Sequence, residues 1–317
     1  MNIKYEIKKQ LNSMALSMLD NCHDKTAHIF FKCLAICFPD ERTLCNYATF
    51  LYKCCWNYDF SKKSMMKVFK LYRKSIKIYS DTNANIMLGD LYWECDDYKH
   101  AEKCYQRAIR CGLDEDSGYI LWNLGVTQIY LQYYEKAYYT LRKFLNEYRW
   151  LIEKDSFYEI FYCVILYCLY RIEKNEKWKK RIDLNYTEFK EHVTNVTDPM
   201  VLIVYYMMNN YETICNNKEF LIEDSWHISK NIFLLVVSSL LAQEKIEEAN
   251  IFYKYCKKNE CEWAQVYDKC YFKLLISKDM TLLKDEIITN YIRDDILNNG
   301  IITSSLFYKS LHVKLPI

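Results

Sequence analysis

The sequence predicts an all-α solenoid, a stack of antiparallel helix pairs, and three observations carry that prediction. Across 317 residues there are only 5 Gly and 3 Pro, too few for the tight turns that many short strands require. The composition, 51% hydrophobic and 26% charged, belongs to a folded chain with a sizeable core. Finally, a pattern recurs: Leu88-Gly89 and Leu124-Gly125 stand 36 residues apart, and each is followed at the same distance by an alanine, Ala101 and Ala137. A β-sandwich and a dinucleotide-binding α/β fold are thereby disfavoured.

Each recurring segment divides into an apolar stretch, a short polar joint (94–98, then 131–134) and a second helical stretch, which is a helix-turn-helix unit. The small residues sit where two helices cross closely, and a larger side chain there would force them apart. In chain order, the first unit spans 8–41, with Leu11, Met14, Ala15 and Met18 followed by Ala27, Phe31, Leu34 and Pro39. A less regular pair runs from Leu44 to Tyr79 around a joint near Asp59. The clearest units follow at 82–115, with Leu88, Gly89, Tyr92, Ala101, Tyr105 and Ala108, and at 118–151, with Leu121, Leu124, Gly125, Ala137, Leu141 and Phe144. Degenerate pairs are expected over 157–193 and 200–221, the second opened by Pro199 after Thr197-Asp198. A further unit, 230–263, carries Phe233, Val236, Val237, Leu240, Ala249, Tyr253 and Cys256. A last pair over 267–298 ends at Asn298-Asn299-Gly300. Residues 301–317 read as a helix capping the open end of a single domain, 1–317.

The Leu-Gly, Tyr, Ala, Phe and Ala spacing resembles the tetratricopeptide repeat family, with Leu113 where proline is usual and Gln128 where tyrosine is usual. The resemblance implies a right-handed superhelix whose first helices line a concave groove, and a partner, usually a peptide or helix, lying in it. The first-helix positions not used for packing within the pair are Asn83, Ile86, Asp90 and Trp93, then Tyr119, Trp122, Val126, Ile129 and Tyr130. Exposed aromatics in a groove are good anchors, offering large contact area for few frozen torsions; the other reading is that packing between repeats absorbs most of these residues, Trp122 among them. The Lys and Asn that grip a chaperone's terminal carboxylate in one subclass are missing. Those positions hold Asn12 and Leu16, Ile86 and Asp90, and Trp122 and Val126.

A second feature is the segment 62–77, which holds seven Lys or Arg and no acid within a chain of net charge +2. At ~100° per residue Lys63, Lys67, Lys70, Lys74 and Lys77 share one stripe of a helix, opposite Val68, Phe69, Tyr72, Ile76 and Tyr79. Lysine is the default outward residue, so a solvated face is one reading and an acidic partner or nucleic acid the other.

Overall charge balance gives no general attraction to nucleic acid or membrane, and the longest apolar run, 232–242, is too short to span a bilayer. The charged opening MNIKYEIKKQ lacks a signal peptide's apolar core, and the 15 cysteines read as reduced thiols, so a cytoplasmic location is expected. Cys22, His23, His28, Cys33 and Cys37 come nearest to a metal cluster but lack zinc-knuckle spacing, and neither metal nor cofactor is expected. No phosphate loop, nucleophile elbow or zinc-protease helix is present. The expectation is a non-catalytic protein-binding scaffold. The alternatives are a peptide-sensing regulator, or binding of an acidic partner or nucleic acid through 62–77.

Overall fold

With so few breakers, apolar residues at helical spacing run in long uninterrupted segments, and the chain takes the structure that satisfies its backbone locally. The computed structural model describes residues 3–20, 24–58, 62–113, 118–154, 158–172, 176–193, 199–218, 230–258 and 287–288. Among the described residues there are fifteen helices and no strand. The chain divides into two units between Phe144 and Leu145. The expected cap at 301–317, the pair at 267–298 apart from Ile287 and Ile288, and the helix end at Gly300 lie outside the described residues.

The first unit is built from α1 (Ile3–Asp20), α2 (Asp24–Cys37), α3 (Glu41–Tyr58), α4 (Lys62–Ile78), α5 (Thr82–Glu94), α6 (Tyr98–Cys111), α7 (Tyr119–Tyr130) and α8 (Tyr134–Glu147) as far as Phe144. Each helix packs on the next in the chain from α1 to α7. The pairs close where the side chains are smallest: Ala15, Ala27, Ala101 and Ala137 are fully buried. Gly89 lies so close under Tyr105 that a Cβ there would stand 2.5 Å from the ring, and a Cβ on Gly125 would stand 2.7 Å from Leu141. Helix starts are capped by local acids. Asp81 accepts from the Ala84 N–H at 2.7 Å, and Asp40 accepts from the Thr43 N–H at 2.9 Å while the Thr43 hydroxyl accepts the Asp40 N–H.

The second unit contains α9 (Arg149–Lys154), α10 (Tyr158–Arg171), α11 (Glu176–His192), α12 (Pro199–Met207), α13 (Tyr211–Asn216), α14 (Lys230–Ala242) and α15 (Ile246–Lys258). Helix α9 was not foreseen; it buries Leu151 and Ile152 with a single apolar turn. The first helices of these pairs are apolar on all sides, and residues 161–169, 201–207 and 233–240 are buried without a break. Such a helix must be covered on every face. The second helices α11 and α15 are amphipathic, with Trp178 and Phe189, then Ala249, Phe252 and Cys256, turned inward.

One backbone device recurs at four of the joints. Asp96, Gln132, Asn209 and Glu244 each hold a left-handed conformation, with φ of 57°, 61°, 60° and 60°. The N–H after each donates five residues back, Asp97 to Tyr92, Tyr133 to Gln128, Asn210 to Tyr205 and Lys245 to Leu240, at 2.8–2.9 Å. This is the Schellman closure, which satisfies the carbonyls left over at a helix end. It gives the pair α12/α13, irregular in sequence, the same turn as the clear repeats. Glycine usually occupies this place because a Cβ is strained there. Gln132→Gly, at an exposed joint, is therefore expected to raise stability by about 0.5–1 kcal/mol in urea unfolding, the relieved strain outweighing the added freedom of the unfolded chain. An unchanged or lower midpoint would contradict the strain at this joint.

Candidate functional site

The first-helix face expected to form a groove is partly covered. Ile86, Trp122, Val126 and Ile129 are buried, Trp122 to 1% exposure. The expectation that these four are open to a partner is corrected. Helix α7 is apolar nearly all round, and residues 120–129 are buried as one block. Asn83 is exposed, and Asp90, Trp93, Tyr119 and Tyr130 are half-buried. Among the nine expected residues, only these five reach the surface.

Two further features gather around them. At the joint ends of α5 and α7, Tyr98 and Tyr130 stack at 4.6 Å between centroids, and Trp93 meets both edge-on at 5.7 and 5.6 Å. The Trp93 indole N–H is buried and meets no acceptor among the described residues. One turn apart on α5, Asp90 and Glu94 form an acidic pair held by three other helices. Because Gly89 lets the Tyr105 ring lie across α5, the Tyr105 hydroxyl reaches the neighbouring Asp90 and donates to its Oδ1 at 2.6 Å. The Asn123 side chain on α7 bonds the same carboxylate. From α3, the Tyr52 hydroxyl donates to Glu94 Oε1.

Burial pushes the Asp90 carboxyl up to about 7, and the charge of Glu94 adds to that push while the bonds from Tyr105 and Asn123 oppose it. Glu94 keeps exposed surface as a residue, but its carboxyl is tucked under Tyr52, and desolvation pushes it up to about 7 as well. Among the described residues neither carboxylate has an ion-pair partner. The arrangement is a half-desolvated pair of acids supported by neutral donors. Its chemistry suits a cation, which would stabilise both charges at once. Sequence reading included Asp90 in the groove but missed Glu94, Tyr52, Tyr105 and Asn123. The i, i+4 spacing of Asp90 and Glu94 on a first helix was the signal available.

The basic stripe on α4 stands out from its helix. Lys67, Lys70, Lys74 and Lys77 are exposed, whereas Val68 and Tyr72 on the opposite side are fully buried. The Lys63 side chain lies outside the described residues. Tyr79, expected on the buried side, is exposed because it falls just past the helix end. Lys67 Nζ donates to the Tyr47 hydroxyl at 2.9 Å and lies 5.0 Å from its ring centroid. Cys22 and His23 lie outside the described residues, and among those described no three potential ligands gather for a metal. Cys45 and Cys104 are free thiols that burial pushes up to about 12 and about 11. Among the described residues no helix is long and apolar enough to cross a membrane.

Small residues at the crossings, twelve positions apart in each clear unit, and a repeated Schellman joint define the architecture. This all-α arrangement of antiparallel helix pairs is the fold that the tetratricopeptide resemblance implies. No family model and no curated protein matches the chain. Among solved structures it is similar to pilF of Pseudomonas aeruginosa, at 13% identity and TM-score 0.46, over 83% of this chain and 97% of that one. A tetratricopeptide repeat protein from Parabacteroides merdae matches at 16% identity and TM-score 0.48, over 80% and 93%. The structure of Naa15/Naa10 bound to HypK-THB matches at 17% identity and TM-score 0.46, over 92% of this chain and 43% of that one.

Proposed function

We propose that this chain is a non-catalytic interaction scaffold that holds a protein or peptide segment against the first-helix face of its first unit. The observation that carries this reading is the acidic pair Asp90 and Glu94, supported by neutral donors from α3, α6 and α7 and flanked by Trp93, Tyr98 and Tyr130. A partner segment bearing Lys or Arg beside an apolar residue fits it, the cation between the carboxylates and the apolar group against the aromatic edge. Free thiols such as Cys45 and Cys104 favour a reducing, cytoplasmic setting.

The test is fluorescence anisotropy with labelled peptides that differ only in carrying Lys, Glu or Gln next to Leu. The Lys peptide is expected to bind best, and more tightly at pH 8 than at pH 6, because its cation must displace the protons that the raised carboxylates hold. In Asp90→Asn with Glu94→Gln, its affinity is expected to fall at least ~10-fold. Equal binding of the Lys peptide by this variant would remove the acidic pair from the site.

A further inference from the structure

The cations of α4 do not stand alone. On α6, Lys99, Lys103, Arg107 and Arg110 are all exposed, and at ~100° per residue they fall within an arc of about 80°. Lys67, Lys70, Lys74 and Lys77 fall within an arc of the same width on α4. Both helices reach Tyr92, near the end of α5. Arg73 of α4 donates to the Tyr92 hydroxyl, and Tyr92 stacks on His100 of α6 at 5.0 Å. The Cys104 thiol of α6, raised chiefly by burial, feels the cations of both Arg107 and Arg73. Among the described residues none of these eight exposed cations forms an ion pair. Helix α4 carries no acid, and Glu102 of α6, half-buried, bonds Gln106.

We propose that the outer face of α4 and α6 docks an acidic, amphipathic segment of a partner protein, on a surface separate from the acidic pair. Charge complementarity sets the sign, and two observations favour a protein segment over a polyanion. Met66 and Ile78 flank the α4 lysines and are 51% and 48% exposed, giving aliphatic contact that a phosphate backbone cannot use. Helices α4 and α6 together carry +10 in a chain of +2, so everything else is net −8. A long polyanion reaching past these helices meets that negative charge, whereas a short acidic segment stays within roughly one screening length of the cations. From Lys67 to Lys77 the row spans ~15 Å, about three turns of a partner helix.

The probe is a labelled peptide of about 18 residues with Glu and Leu at helical spacing and no cations, titrated in parallel with duplex DNA of about 20 base pairs and with phosphatidylserine–phosphatidylcholine vesicles. The peptide is expected to bind at physiological salt. Lys70→Glu with Lys74→Glu, and separately Lys103→Glu with Arg107→Glu, are each expected to weaken it at least ~10-fold with an unchanged melting temperature. Met66→Ser with Ile78→Ser is expected to weaken the peptide and leave any DNA binding unchanged, whereas Asp90→Asn with Glu94→Gln, which weakens the Lys peptide, is expected to leave the affinity of this acidic peptide unchanged. The proposal is overturned if the peptide fails to bind, if either charge-reversed pair leaves its affinity intact, or if DNA or vesicles bind more tightly than the peptide and lose affinity in the same variants.

Discussion

Trp122→Ala is expected to destabilise the protein by about 3–5 kcal/mol, the range for removing a large aromatic side chain from a closed core. In the groove reading of the sequence this residue anchors a partner, and its removal leaves the melting temperature nearly intact. In the structure Trp122 is 1% exposed within a block where every residue from 120 to 129 is buried. A cavity of that size between packed helices does not collapse fully, so transfer and cavity costs add. Urea unfolding monitored by circular dichroism measures it. A loss below about 1 kcal/mol would show that Trp122 faces solvent and would restore the wider groove.

The second large effect is a fall in stability as pH rises from about 4 to about 7, through Asp90 and Glu94. Both groups hold their protons more tightly folded than unfolded, so across this window the native state binds more protons than the unfolded state. Stability is therefore greatest below the unfolded values and declines as pH passes through the folded ones. Asp90 is half-buried as a residue, but its carboxyl is bonded by Tyr105 and Asn123 and raised to about 7, which contributes of order 2–4 kcal/mol. Glu94 contributes less, because its exposed surface screens it. Asp90→Asn keeps a partner for the Tyr105 hydroxyl and removes the charge. This variant is expected to be more stable than wild type at pH 8 and to flatten the decline. A wild-type profile that rises from pH 4 to 7 with the same slope in Asp90→Asn would mean that this carboxylate is solvated and ordinary. Because Tyr105 reaches Asp90 only across Gly89, the same pH profile also reports on the helix crossing.

The helix pairs were legible because their signals are local. Apolar spacing, acids placed to cap, and Gly89, Ala101, Gly125 and Ala137 at the crossings are written within one or two turns of the chain. In the described part of the unit expected over 230–263, Ala249 and Cys256 are buried. The pair α12/α13 was weaker in sequence because its turn rests on a left-handed Asn209, where a backbone angle takes the place of a glycine. Helix α9 offered a single apolar turn, too short for a periodic signal.

By itself the sequence determined an all-α chain of antiparallel pairs, the register of their small residues, and a basic stripe on α4. All of these follow from the order of side-chain sizes and charges along a helix. Only the tertiary structure decided that Ile86, Trp122, Val126 and Ile129 are covered, and that Asp90 and Glu94 become one acidic pair. Burial and pKa are set by what surrounds a group. The donor that holds Glu94 is Tyr52, 42 residues earlier in the chain, and no local pattern of residues records that meeting.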